Sequence, residues 1–113
     1  MSKVLQIVPS LNSINGGVER GTLDVAKELI EQGFESEIIS SGGIMAEKYK
    51  YKGVNHSELE INKKGFIKFL RVRWKFEKML NKIKPDIVHI RSRWPAFCFN
   101  QIVKKKKIHL VTT

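Results

Sequence analysis

Short apolar runs suited to buried strands recur along this chain, each followed by a stretch with helical spacing, and that alternation restricts the fold more than any other feature. Val4-Leu5-Gln6-Ile7-Val8 is the first run. A strand covered on both faces reads as nearly continuous apolar sequence. Pro9, which has no N–H, closes it, and Ser10 to Asn15 reads as a polar loop. From Gly17 the spacing is helical, with Val18, Thr22, Val25, Ala26, Leu29 and Ile30 three or four residues apart. Glu19 falls in the first turn, where the helix dipole favours an anion, and Gly33 suits the position just past the helix end. Glu37 to Ser40 reads as a second strand, Ile44 to Lys52 as a short helix, and Gly53 to Ser57 as a brief third strand. A long helix follows from about Gly65 to Lys84, stopped by Pro85. Asp86 to Ile90 reads as a fourth strand, Trp94 to Lys104 as a fourth helix and Ile108 to Thr113 as a fifth strand. Such an order predicts an α/β fold, a Rossmann-like, doubly wound parallel sheet of about five strands with about four helices on its two faces. A last strand with no helix after it points to an incomplete domain, leaving apolar sheet surface and a strand edge exposed.

With 113 residues the chain has room for one domain and one core. No apolar run approaches the roughly 20 residues that cross a bilayer. The start of the chain enters a strand pattern without the apolar stretch of a signal peptide. A lone cysteine, Cys98, permits neither an internal disulfide nor a thiolate metal cage. A reducing, cytoplasmic setting is the expectation. The net charge of +10 is unevenly placed. Residues 63 to 84 hold nine Lys/Arg against Glu77 alone, whereas residues 1 to 62 hold more acids than bases. A local positive field of this kind attracts phosphates, nucleic acid or an anionic membrane.

In doubly wound sheets, ligands bind at the carboxyl ends of the strands near the topological switch point. That rule selects three loops: Pro9 to Val18, Ser40 to Gly43 and Arg91 to Pro95. In the first, Gly16-Gly17 opens a helix with bare backbone N–H groups that a phosphate or sugar can approach closely. The same pair also reads as a plain turn with a flexible helix start. Residues 9 to 20 contain no G-x-G-x-x-G, the second strand ends in Ser40-Ser41 with no acid to hold a ribose, and no Walker A lysine follows the glycines. Lys3, Gln6 and Ser10 beside the first strand also fit a phosphoacceptor receiver poorly.

Leu5-Gln6-Ile7-Val8-Pro9-Ser10-Leu11-Asn12 and Gly16-Gly17-Val18-Glu19-Arg20-Gly21-Thr22-Leu23-Asp24 together resemble the N-terminal signature of glycosyltransferase family 4. Asp86-Ile87-Val88-His89-Ile90-Arg91-Ser92-Arg93-Trp94-Pro95 is similar to the family's fourth-strand segment, and Val111-Thr112-Thr113 to the strand entering its next loop. The resemblance implies the N-terminal, acceptor-side Rossmann-like domain of a two-domain GT-B enzyme. The implied reaction moves a sugar from a nucleotide-sugar donor to a glycan or lipid-linked acceptor, with retained anomeric configuration and no metal or other cofactor, since the nucleotide sugar is itself a substrate. The resemblance sets Gly16 and Gly17 at the donor diphosphate, and Asn12, Glu19, Arg91, Ser92 and Arg93 on the wall facing acceptor or phosphate. Ile14-Asn15 reads as a small insertion ahead of the glycines. The donor-binding C-terminal domain with its paired glutamates has no counterpart in these residues, so transfer by this chain alone is not expected.

Arg91 and Arg93, just past a strand, can grip a phosphate bidentately. In extended chain both would point the same way, and the alternative is a pair of surface arginines. His89 reads as a hydrogen-bonded core histidine, and Cys98, among Phe97, Phe99 and Ile102, as a small core residue. His56 and His109 have no ligand-type neighbours, so no metal site is expected. The long basic helix has apolar positions Phe66, Phe69, Leu70, Phe76, Leu80 and Ile83. One reading docks that face on the sheet and leaves a solvated lysine face. Another makes Lys68, Arg71, Trp74, Lys75 and Lys78 a contact for an anionic membrane. The competing function from a different class is a basic binding module for membrane or nucleic acid. No recognised nucleic-acid motif is present, so no nucleic-acid partner is expected.

Overall fold

The computed structural model describes residues 2–9, 11, 17–42, 53–61 and 65–112, with the side chains of residues 17 and 18 left aside. The elements are β1 (Lys3–Ile7), α1 (Gly17–Glu31), β2 (Glu35–Ser40), β3 (Val54–Glu58), α2 (Phe66–Ile83), β4 (Ile87–Ile90), α3 (Arg93–Lys105) and β5 (His109–Thr112). All five strands run parallel in the order β3-β2-β1-β4-β5. The expected Rossmann-like sheet is therefore present. Three helices occur among the described residues, and the short helix expected near Ile44 to Lys52 lies outside them.

Punctuation by glycine and proline accounts for the helix ends. Gly33, at φ 89°, follows α1, and Phe34 N–H donates to Leu29 O at 2.9 Å while Gly33 N–H donates to Ile30 O at 3.1 Å. That pair of bonds is the Schellman arrangement, which needs the left-handed conformation that glycine adopts without strain. Lys84, also left-handed at φ 52°, closes α2 just before the buried Pro85.

The helices lie on opposite faces. Leu5, Ile7, Ile39, Val88 and Ile90 pack on Val72, Phe76 and Leu80 of α2 and on Cys98, Phe99, Ile102 and Val103 of α3. Phe76 and Phe99 stack at 4.1 Å between centroids. On the other face Val8, Leu11, Ile38 and Val54 pack on Ala26, with Leu23 and Ile30 at the margin. The docked stripe of α2 differs from the one expected. Phe66 is 76% exposed and Leu70 is exposed as well, while Val72 joins Phe76 and Leu80 in the core. Phe66 is the first residue of the helix, and Phe69 and Ile83 reach the core only at its margin. Phe97 is also exposed and lies outside the core around Cys98.

Candidate functional site

The strand order turns back at β1, so the crevice between the carboxyl ends of β1 and β4 is the topological switch point. The ladder continues past both strands there. Arg91 N–H donates to Ile7 O at 2.9 Å, and Val8 N–H donates to Ile39 O at 3.1 Å. The exits of β1 and β2 are laced together: Leu11 N–H donates to Gly42 O at 2.8 Å, Ser41 N–H to Pro9 O at 3.0 Å, and the Ser41 hydroxyl to the same Pro9 carbonyl. Ser40 Oγ accepts from Gly42 N–H at 3.0 Å and lies 2.6 Å from His56 Nε2. Gly42, at φ 88°, has Glu58 Oε1 only 3.0 Å from where a Cβ would stand, so only glycine fits this turn unstrained.

At the crevice itself Gln6 is fully buried on β1. Its Oε1 accepts from Arg91 Nε at 2.9 Å, and its Nε2 donates to Thr22 O of α1 at 3.1 Å. One amide thus joins β1, β4 and α1. The half-buried Arg91 guanidinium reaches α1, with Nη1 3.7 Å from the place a Cβ would take on Gly21. Burial pushes the Arg91 pKa down. Among the described residues no carboxylate forms an ion pair with this cation. His89, two residues earlier and half-buried, has its pKa lowered first by burial and then by the Arg91 charge.

The other expected site residues divide by location. Gly17 begins α1, with Glu19 part-exposed in its first turn, and Asn12 and Gly16 lie outside the described residues. Arg91 and Arg93 do not share an extended segment. Ser92 turns the chain at φ 95°, and Arg93 is the exposed first residue of α3. The structure brings Arg91 to Gln6 and Gly21, and through the Gln6 amide to Thr22, none of which stood out as a site residue in the sequence. A glutamine inside an apolar strand run was the available signal, because a buried amide must find partners.

Lys68, Arg71, Trp74, Lys75 and Lys78 are all exposed on α2. Lys78 Nζ stands 3.9 Å from the centroid of the Trp74 ring. Lys68, Arg71 and Lys75 face Glu58 and Glu60 across a groove of about 530 Å³. Burial pushes the Cys98 thiol up to about 11, against the opposing charge of Arg73, so this cysteine is an inert core residue. No cluster of His, Cys, Asp and Glu able to hold a metal occurs among the described residues. No described helix is long and apolar enough to cross a membrane.

A family model for Glycosyltransferase Family 4 matches residues 15–113. The chain belongs to that family. A solved glycosyltransferase from Rickettsia africae ESF-5 is similar over 98% of this chain and 29% of its own, at 34% identity and a TM-score of 0.81. MurG of Acinetobacter baumannii is similar in fold, at 17% identity and a TM-score of 0.76, over 99% of this chain and 34% of its own. A UDP-GlcNAc 2-epimerase from Methanocaldococcus jannaschii shares the fold at 15% identity and a TM-score of 0.63, over 100% of this chain and 31% of its own. The family 4 chain thus spans about a third or less of each of these structures. No curated protein matches it.

Proposed function

We propose that this family 4 chain forms the acceptor-side wall of a glycosyltransferase that moves a sugar from a nucleotide-sugar donor to a glycan or lipid-linked acceptor of cell-surface polysaccharide type. The observation that carries the reading is a half-buried Arg91 at the switch-point crevice, beside the helix that Gly17 opens and without a carboxylate partner among the described residues. In this reading Gly16 and Gly17 face the donor diphosphate, while Asn12, Glu19, Arg91, Ser92 and Arg93 face acceptor or phosphate. Fixed cations and backbone N–H groups stabilise charge as it develops on a departing diphosphate, without reorganising at the moment of reaction. The reaction retains configuration and uses no metal. One wall is half a site, and a donor-binding domain supplies the other, so the 113 residues alone bind without transferring.

The test is a titration of the chain with uridine- and guanosine-diphosphate sugars, followed by amide NMR and by nucleotide release. Shifts at Gly17, Arg91 and Ser92 with at least one donor, and no release, are expected. Shifts confined to other regions would remove Arg91 from the site, and release by the chain alone would overturn the half-site assignment.

A second reading concerns the outer face of α2. Trp74 is 58% exposed among Lys68, Arg71, Lys75 and Lys78, and Phe66, Ile67 and Phe97 are exposed too. Aromatic side chains ringed by cations suit the headgroup region of an anionic bilayer on its inner face. Cosedimentation with acidic vesicles but not neutral ones is expected, weakened by Trp74→Ala with Lys75→Glu. Equal binding to both vesicle types would end this reading.

A further inference from the structure

We infer that Gln6 is a positioning residue for phosphate recognition: its neutral amide fixes the Arg91 guanidinium at the crevice while leaving the full positive charge for the ligand. The inference rests on the proposal that Arg91 faces a phosphate.

Both ends of the amide are assigned by their partners. Oε1 must meet the Arg91 Nε–H, and Nε2 must meet the Thr22 carbonyl, so the side chain has a single orientation. Gln6 and Thr22 are both fully buried, which leaves no water to compete for these bonds. With Nε engaged, the guanidinium keeps the end-on edge formed by its two Nη groups, the edge that binds two oxygens of one phosphate. A carboxylate at position 6 would hold the arginine at least as firmly, but it would also cancel the charge that an incoming anion needs. An amide orients without neutralising. A cation drawn partly out of water beside a neutral partner is costly in the empty protein. An arriving anion relieves that cost, so affinity depends on the amide as well as on the arginine.

The location supports this use. The amide ties Arg91 to Thr22 in α1, the helix that Gly17 opens, so the cation and the helix start keep a fixed separation. Two groups held at fixed separation can grip one diphosphate with little loss of freedom on binding. Free arginine on a loop would lose several rotamers instead.

Inorganic pyrophosphate is the probe, titrated into the whole chain and into Gln6→Met, Gln6→Glu and Arg91→Gln. In the unaltered protein the Arg91 Nε–H signal should exchange slowly with water before and after pyrophosphate, while the Nη signals move. Gln6→Met should weaken pyrophosphate by about tenfold, the loss of one hydrogen bond to a charged group, and Gln6→Glu by more, with amide spectra showing the native fold. If Gln6→Glu fails to fold, Gln6→Met and the exchange measurement still decide. Pyrophosphate binding that survives Arg91→Gln overturns the phosphate reading itself. Binding lost in Arg91→Gln but unchanged in both Gln6 variants overturns only the positioning role. A fall in thermal stability at Gln6→Met with unaltered affinity makes the amide purely structural and also overturns it.

Discussion

On one face of the sheet Leu5, Ile7, Val88 and Ile90 meet Phe76, Leu80 and Phe99 in an apolar layer. On the other, Gln6 and His89 alternate with those same residues, and Ser36 and Ser40 lie on the face of β2 opposite Ile39, beside Val8, Ile38 and Val54. Burial of apolar area is strong and undirected, so the first face can tolerate changes of shape but not of volume. Hydrogen bonds are weak in net stability and strict in direction, so the polar residues of the second face add less to folding than the apolar residues beside them and much to the placement of Arg91. Both sides of the sheet carry apolar clusters, but only the second also holds the amide that orients Arg91.

The largest effect that can break this contrast is Phe76→Ala, which empties the stacked pair with Phe99. A loss of about 3–5 kcal/mol in urea unfolding is expected. Gln6→Met on the opposite face keeps the volume and should cost about 1–2 kcal/mol. Equal losses would mean that the Gln6 amide stabilises the fold as much as the stacked aromatic pair does. The smallest effect belongs to His89. Its pKa is held below the ordinary value of 6.5 in the folded chain, so the unfolded chain takes up the proton first as pH falls. Stability from this group is complete above that value and declines as the pH drops below it towards the folded pKa. His89→Gln should flatten the fall in thermal midpoint between about pH 7 and pH 5. An unchanged profile would place the titrating group elsewhere.

Element order was legible because it rests on local rules. Gly33, Pro85 and the apolar run from Val4 to Val8 fix where helices end and strands lie, whatever surrounds them. The buried stripe of α2 was less legible. Apolar residues occur nearly all round this helix, from Phe66, Ile67 and Leu70 to Trp74, so periodicity alone does not say which side docks. Trp74 stands two residues before the buried Phe76 and so about 160° from it around the helix. The extended segment expected to carry Arg91 and Arg93 was missed for a similar reason. Alternation assumes extended chain, and Ser92, at φ 95°, turns into a helix that begins at Arg93 instead.

For this family 4 chain the sequence by itself determined the alternation of strand and helix, the three carboxyl-end loops and the concentration of positive charge on one helix. These follow from residue type, spacing and local backbone freedom. Only the tertiary structure decided that Gln6 meets Arg91, 85 residues away, and that the same amide reaches Thr22. A contact between β1 and β4 depends on strand order and on which way each pleat faces, and both are settled when the sheet assembles across its crossovers.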